Sequence, residues 1–295
     1  MKDVSIIIVN YNTLQLVVEC VNSVIELTSG LDYEIIVIDN NSDSELGEKL
    51  NHLFPINIRT IGLTENVGFG RANNEGFKVA NGKYVICLNP DTILLNNAIK
   101  ILHDFMETHP NVGVCGGNLY DVDMKPTHSY RMMLPSVLWE IDSHFGGFYA
   151  KCRWGVNVEF NHTAKPLNVG YITGADMMIR KEIIDSVGGF SEYFFMYYEE
   201  CELTFRIKRL GFSCYSVPAA HIQHLEGESF QSSELTKKDK YKIYSHWMYR
   251  RLCFPPIVYM VLRIIELNKL KLPKSNNQYS EYVIEVIKEI DKLAL

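Results

Sequence analysis

The chain of 295 residues is 47% apolar and 22% charged, with a formal net charge of −6. Those values describe an ordinary globular protein with enough apolar residues for one large domain or two fused lobes. Seven scattered cysteines, an odd number with no CxxC pair, argue against a disulfide framework and a zinc site, and suit core positions in a reducing compartment.

In chain order, Lys2-Asp3 leads straight into the β-branched run VSIIIV at 4–9, without the charged and apolar regions of a cleaved signal, so a cytosolic start is expected. Residues 34–39 form a second such run, and 14–27 between them have helical apolar spacing. Strands apolar on both faces are those of parallel sheets covered by helices. The same patterning predicts a third strand at 57–63, a helix at 70–80, a fourth strand at 83–88, a helix at 98–108 and a strand at 112–120. Strands alternating with helices imply a parallel α/β sheet, whose ligands sit beyond the carboxyl ends of the strands. Regularity fades over 121–168. It returns with GYITGADMMIR at 170–180, a helix at 181–187, the aromatic run FFMYY at 194–198, a helix at 199–210 and a last strand at 213–224. Amphipathic helices follow beyond 237.

Polar residues gather at the strand ends: Asn10-Tyr11-Asn12, Asp39-Asn40-Asn41-Ser42, the stretch from Glu65 to Arg71, and Asn89-Pro90-Asp91. Each alone reads as a turn or a helix cap, but four together point to one ligand crevice. No GxGxxG follows the first strand and no GxxxxGK[ST] occurs, which argues against hydride-transfer and P-loop chemistry. Asn10, Asp39 and Asn41 suit a nucleobase and ribose instead. Asp91, at the tip of a buried strand, suits a divalent cation that bridges a nucleotide diphosphate, with Asn89 helping through its amide oxygen or a water; capping the next helix is the competing role. Glu199, Glu200 and Glu202 open a helix behind the aromatic run. They complement the helix dipole, and Glu202 can pair with Arg206, yet a carboxylate among aromatics can also serve as a general base. His221 and His224 end the last strand and, taken alone, suit structural roles.

Taken in order, SIIIVNYN, VIDNNS, ENVGFGRANNEG, LNPD, TGADMMIRKEIIDSVGGF, FFMYYEECELTFRIKRLG and H-x-x-G-x-S (His224, Gly227, Ser229) resemble the inverting glycosyltransferases of family 2, and within them the bacterial rhamnosyltransferase-like branch. The motifs cover 4–229. The resemblance implies the GT-A fold, a Rossmann-like α/β architecture with a mixed, mainly parallel central sheet flanked by helices. It divides the chain into a domain at 1–230, with a nucleotide-sugar half at 1–118 and an acceptor and catalytic half at 119–230, and a helical, basic-aromatic extension at 231–295.

The implied roles follow residue by residue. Asn10 and Tyr11 lie against the base, Asp39 binds the base or ribose, and Asn41, Asn66, Gly68 and Arg71 line the donor pocket. Asn89-Pro90-Asp91 stands where the family has its D-x-D motif, so Asn89 and Asp91 face the donor and Asp91 contacts Mn²⁺ or Mg²⁺, with His224 beside the metal. Thr173, Gly174, Ala175 and Asp176 border the sugar and acceptor. Glu199 and Glu200 fall on the family's Glu-Asp pair, with Glu200 as the base and Glu199 as the alternative. Asn89 departs from the commoner Asp and removes a negative charge from the metal site. Glu200 departs from Asp and lengthens the base by a methylene.

The activity implied is metal-dependent, inverting transfer of rhamnose or another hexose from a nucleoside-diphosphate sugar to a saccharide or lipid-linked saccharide acceptor in cell-surface polysaccharide synthesis. Two rivals remain. A sugar nucleotidyltransferase would need a Gly-rich, cationic loop after the first strand, where this chain has Asn10-Tyr11-Asn12-Thr13; a catalytically silent nucleotide-sugar-binding protein would fit the two departures. Residues 237–274 hold ten Lys/Arg against two acids, interleaved with aromatics. That segment suits peripheral membrane contact, and equally a helical cap or a homodimer contact. No recognition motif supports nucleic-acid binding. The apolar run at 252–262 is too short to span a bilayer. The expected location is cytoplasmic, at the inner face of the cytoplasmic membrane if the extension binds lipid.

Overall fold

The structure, a computed structural model, describes residues 2–42, 46–54, 58–225, 235–270 and 277–293. Asn57, Gly227, Ser229 and the end of the basic segment, 271–274, lie outside the described residues. In the first half, β1 (Lys2–Asn10), α1 (Leu14–Leu27), β2 (Tyr33–Asp39), α2 (Leu46–Leu53), β3 (Arg59–Gly62), α3 (Phe69–Val79) and β4 (Gly82–Leu88) alternate strand and helix. A short β5 (Thr92–Leu94), α4 (Ala98–Thr108) and β6 (Val112–Tyr120) follow. The segment that looked irregular holds β7 (Tyr130–Arg131), α5 (Val137–His144), α6 (Phe148–Trp154), β8 (Leu167–Asn168) and β9 (Tyr171–Ile172). Then come β10 (Asp176–Arg180), α7 (Lys181–Val187), α8 (Glu199–Arg209), β11 (Ser213–His224) and three C-terminal helices, α9 (Lys237–Cys253), α10 (Pro256–Lys269) and α11 (Asn277–Asp291).

The main sheet runs β3-β2-β1-β4-β10-β6-β11-β5, with β8 beside β11; β7 and β9 pair separately. β1, β2, β3 and β4 are mutually parallel, whereas β10 is antiparallel to both β4 and β6. The sheet is therefore mixed and mainly parallel, as the resemblance implied, with β10 running against its two neighbours. β10 starts at Asp176 opposite Leu88, the carboxyl end of β4, and so runs back toward the amino ends of the parallel strands.

Burial follows from the sequence pattern. Isoleucines and valines on both faces of β1 and β2 feed two apolar layers, one under α1 and α4 and the other under α3 and α7. A third apolar cluster joins Phe194 and Cys201 to Trp247, Met248 and Tyr249 of α9 and to Val283, Val286 and Ile287 of α11. The C-terminal helices thus pack directly behind the start of α8. Arg180, buried at the end of β10, donates to the carbonyls of Val112, Met106 and His109 and to the Tyr84 hydroxyl, and fastens β10 to the end of α4. Five of the cysteines are buried as expected, but Cys152 on α6 is exposed and Cys253 partly so. Among the described residues, no helix is long and apolar enough to cross a membrane.

Candidate active site

The carboxyl ends of β1 and β2 are cross-braced by side-chain amides. Asn10 is fully buried; its Nδ2 donates to Asp39 Oδ1 at 3.1 Å and Ser42 Oγ at 2.7 Å, while its Oδ1 accepts from the backbone N–H and hydroxyl of Thr13. Both ends of the amide are therefore engaged. The expectation that Asn10 lies against a base is corrected to that of a brace, because the last residue of β1 points down into the loops that it ties. Tyr11 beside it is half exposed, and Asn41 stands at the β2 tip with a left-handed φ of 63°. Asn40, which sequence reasoning left without a role, is buried and bonds Asn66 and the Val67 N–H at 2.9 Å each, locking the β2 tip to the loop before α3.

That loop reaches across to the acidic helix. Phe69 donates its N–H to the Phe195 carbonyl at 3.0 Å, and Gly68 has a φ of 88° with so little room that a Cβ would lie 2.1 Å from the same oxygen. Only glycine meets both demands. Arg71, by contrast, leaves the crevice. The inward face of α3 is Gly70, Ala72, Asn73, Gly76 and Phe77, so Arg71 falls on the outer stripe with Lys78. There its guanidinium donates to the Glu192 carbonyl and lines a separate cavity of about 510 Å³. Its expected place in a donor pocket is corrected accordingly.

At the β4 tip, Asn89, Pro90 and Asp91 form a tight turn into β5, closed by Thr92, whose N–H and hydroxyl both donate to the Asn89 carbonyl. β5 pairs antiparallel with the end of β11 and sets His224 opposite Thr92, one residue past Asp91. Consequently His224 Nε2 stands 3.3 Å from Asp91 Oδ1 and 3.3 Å from the Asn89 amide nitrogen. Neighbouring ligands of a six-coordinate divalent ion are about 3 Å apart, so a carboxylate oxygen and an imidazole nitrogen at this spacing suit two adjacent positions on one ion. Among the described residues, no group of three or more His, Cys, Asp or Glu is arranged to hold a metal unaided. An ion here would need ligands beyond this pair.

Asp176 begins β10 opposite Leu88, and strand alternation turns its side chain inward against Gly116 and Gly117 rather than toward an acceptor. It is wholly buried, accepts the Gly117 N–H at 2.5 Å through Oδ2, and has no partner at Oδ1 among the described residues. Burial pushes its carboxyl up to about 7, against the opposing pull of the Gly117 hydrogen bond. The expected sugar or acceptor contact at Asp176 is corrected to a buried support beneath the site.

The glutamates enter through a strained loop. Tyr197 and Tyr198 both take left-handed φ values, 71° and 67°, immediately before α8. Two consecutive tyrosines there cost roughly 1–2 kcal/mol each. The bend delivers Glu199 and Glu200 at the first turn of α8. Glu199 is buried with Oε2 unpartnered among the described residues, and burial, followed by the charge of Glu200, holds its carboxyl well above the usual range. Glu200 is more open; burial raises it too, while the Cys201 thiol, 3.8 Å away, donates to it. Glu202 does pair with Arg206, through two bonds of 2.7 Å, and Arg206 also holds the carbonyls of Val187 and Gly189.

A cavity of about 660 Å³ joins these parts. Its wall includes Asn89 and His224 from the β4 tip and the end of β11, Thr173, Gly174 and Ala175 before β10, Glu199 and Glu200 of α8, and a further set, here called the rim, of Arg131, Trp139, Lys242 and His246. Asn10, Tyr11, Asp39, Asn41, Asn66, Gly68, Arg71 and Asp91 are not part of that wall; Asn10 and Asp39 end β1 and β2, and the rest but Arg71 sit on the loops that follow the strands. The rim was missed by sequence reasoning because it comes from the irregular segment and from α9. His128, also in the wall, is held down to about 4, chiefly by burial. Glu140 of α5 accepts from His246 at 2.9 Å and from Arg250 through two bonds of 2.7 Å. These bonds outweigh burial and bring its carboxyl down to about 2, so the clamp between α5 and α9 is ionic at neutral pH.

Comparison with known proteins adds the lineage. The family model described as "Glycosyl transferase family 2" matches residues 5–188. The low-salt glycan biosynthesis hexosyltransferase Agl10 of Haloferax volcanii is 28% identical over 250 residues, covering 79% of this chain and 71% of its own. The N-acetylglucosaminyl-diphospho-decaprenol L-rhamnosyltransferase of Mycobacterium tuberculosis is 25% identical over 209 residues, 66% of this chain and 67% of its own. Among solved structures, that of GalNAc-T7 with UDP, GalNAc and Mn²⁺ aligns with a TM-score of 0.64 at 16% identity, over 100% of this chain and 57% of that one. At that identity the likeness shows the fold alone.

Proposed function

The chain belongs to glycosyltransferase family 2 and has a GT-A fold, and from that premise we propose that it transfers a sugar, rhamnose or another hexose, from a nucleoside-diphosphate donor to a saccharide or lipid-linked saccharide acceptor with inversion. The observation that carries this reading is the shared cavity: a raised glutamate pair lines one cavity together with Asn89, His224, Thr173, Gly174 and Ala175. The relatives' names fit it. One acts on a diphospho-decaprenol-linked sugar, and the other is a hexosyltransferase of glycan biosynthesis. The proposed donor site is the braced loops around Tyr11, Asp39, Asn41, Asn66 and Gly68, with the diphosphate toward Asn89 and Asp91.

Glu200 acts as the base in this reading. Of the pair, Glu199 is the deeper and holds its proton, which leaves Glu200 as the carboxylate open to the cavity. It removes the proton from the acceptor hydroxyl as that oxygen bonds to the anomeric carbon. The bond from that carbon to the diphosphate oxygen breaks, the nucleoside diphosphate departs with the electron pair, and a single displacement inverts the centre. Mn²⁺ or Mg²⁺, when bound, offsets negative charge on the leaving diphosphate; Asp91 and His224 would hold it, and the Mn²⁺ in the GalNAc-T7 structure accords with this choice. A lipid-linked acceptor would place the enzyme on the inner face of the cytoplasmic membrane, with 237–274 as the contact.

The test is release of nucleoside diphosphate from UDP-, dTDP- and GDP-sugars with Mn²⁺ or Mg²⁺, alongside thermal stabilisation by each donor. Turnover of one donor, lost in Glu200→Gln, supports the reading. Stabilisation by donors with no turnover in any acceptor extract would favour a sugar-binding protein instead.

A further inference from the structure

We propose that the outward face of α10, together with the exposed ends of α5 and α6, is a docking surface for an anionic lipid bilayer. Ile257, Met260, Val261, Ile264 and Ile265 recur at helical spacing on one side of α10, and each is 50–69% exposed. The helix is inverted relative to an ordinary surface helix. Its apolar side faces solvent, while Arg263 turns inward to Asp291 of α11 at 2.7 Å and Tyr259 is buried beside Trp247 of α9. A contiguous apolar stripe of this kind marks an interaction site.

A second apolar surface is carried by α5 and α6, and α5, like α10, is held on α9. Ile141 and Phe145 at the end of α5 and Phe148 and Tyr149 at the start of α6 are 43–70% exposed. The clamp from Glu140 to His246 and Arg250 fixes α5 against α9, whereas α10 is held by Trp247 and by Arg251, whose guanidinium lies 5.7 Å from the Tyr259 ring. Residues 246 and 250 are each one position from 247 and 251, about 100° around the helix, so α5 and α10 attach to neighbouring sides of α9. The same helix supplies Lys242, Ile243 and His246 to the cavity wall.

The charges favour a bilayer as the occupant. Lys151 and Arg153 on α6, Arg251 at the end of α9 and Lys269 at the end of α10 accompany the apolar residues, and the sole acid of α10, Glu266, is half-buried. Aromatic and aliphatic side chains among cations match the boundary between acyl chains and anionic headgroups. A second copy would bring the same cations face to face. With 14 residues, α10 lies on the bilayer rather than across it. This inference rests on the lipid-linked acceptor in the proposed function, which it deepens by bringing the cavity rim to the membrane.

The test uses the full chain in flotation with vesicles of phosphatidylglycerol and phosphatidylethanolamine, and with phosphatidylcholine alone, comparing wild type with Met260→Glu/Ile264→Glu. Both substitutions are at exposed sites, and melting temperature and release of nucleoside diphosphate are measured on the same samples. Wild type should float with the anionic vesicles, and the double variant should lose roughly tenfold or more of that binding at unchanged melting temperature. Equal flotation of the two proteins, or none by wild type, overturns the docking surface; continued donor turnover would then leave the glycosyltransferase reading standing. A lipid-free dimer that the double variant dissociates, without vesicle binding, overturns it in favour of a second copy. Flotation lost in the double variant, with no donor turnover by wild type in any arm, supports the surface and sinks the catalytic reading.

Discussion

Replacing Asp176 with Asn should change the pH dependence of stability in a way calculable from its burial. The carboxyl is fully enclosed, with one oxygen on the Gly117 N–H and the other unpartnered among the described residues, and it is pushed up from 3.8 to about 7. With the folded value above the unfolded one, the contribution is fully present below about pH 4 and is lost as pH rises toward 7. In that window the unfolded chain ionises and the folded one does not, so stability falls by about 1.4 kcal/mol per pH unit. From pH 5 to 7 the loss is roughly 2–3 kcal/mol, which corresponds to about 3–5 °C in melting temperature for a chain of this size. The Asn variant keeps an acceptor for Gly117 and cannot ionise, so urea unfolding at pH 5, 6 and 7 should show a flatter decline by that amount. Glu199 and Glu200 titrate in both proteins and cancel in the difference. Parallel curves for wild type and variant would refute the reasoning, since Asp176 would then carry no buried proton.

Four further outcomes are expected. Glu200→Gln should keep donor stabilisation and lose transfer by ~10²–10⁴-fold, and wild-type turnover should rise with pH as the raised carboxyl ionises; loss in Glu199→Gln alone would exchange their roles. Asp91→Ala should abolish the extra thermal stabilisation that Mn²⁺ adds to a nucleoside diphosphate, and chelation should do the same to wild type. Gly68→Ala, strained at φ 88° and driven against the Phe195 carbonyl, should destabilise by roughly 2–3 kcal/mol and raise the donor KM, whereas Gly62→Ala, with nothing within 4 Å of its Cβ, should not. Ser245→Ala removes a 2.8 Å bond to the Met196 carbonyl; a stability loss of about 1 kcal/mol with a lower kcat is expected from urea unfolding and steady-state kinetics.

Local patterning made the first half of the chain readable. The helices at 14–27, 98–108 and 181–187 and the strands at 112–120 and 213–224 have the expected bounds, because apolar periodicity and burial agree there. β10 did not follow from the alternation, since its direction depends on which side of the sheet the chain has reached. α5 and α6 were missed for a related reason: their exposed apolar residues blur the periodicity that marks an ordinary amphipathic helix. At the site, residue type was legible but orientation was not. Asn10, Arg71 and Asp176 have suitable chemistry, yet a strand end, an outer helix stripe and a sheet register point them away from a ligand. The rim residues Trp139, Lys242 and His246 lie far from the motifs in sequence, and only packing brings them in.

The C-terminal helices bear on the proposed base through that packing. The loop that delivers Glu199 and Glu200 is strained at Tyr197 and Tyr198, and such a bend persists only where its surroundings over-determine it. α9 supplies those surroundings turn by turn. Tyr241 stacks on Phe195 with ring centres 4.6 Å apart, Lys242 lies over the Tyr197 ring, Ser245 holds the Met196 carbonyl, and His246 stacks on Tyr198 at 5.1 Å. From the other side, Phe69 of the glycine loop holds the Phe195 carbonyl. The loop that delivers the glutamates is thus fixed between the loop before α3 and the helix on which α10 packs. Removal of 237–295 would release this loop together with any membrane contact, so a truncated chain that neither floats nor turns over donor could not separate the two losses. Point charges on the outer face of α10 leave every one of these contacts in place, and only they can divide attachment from chemistry.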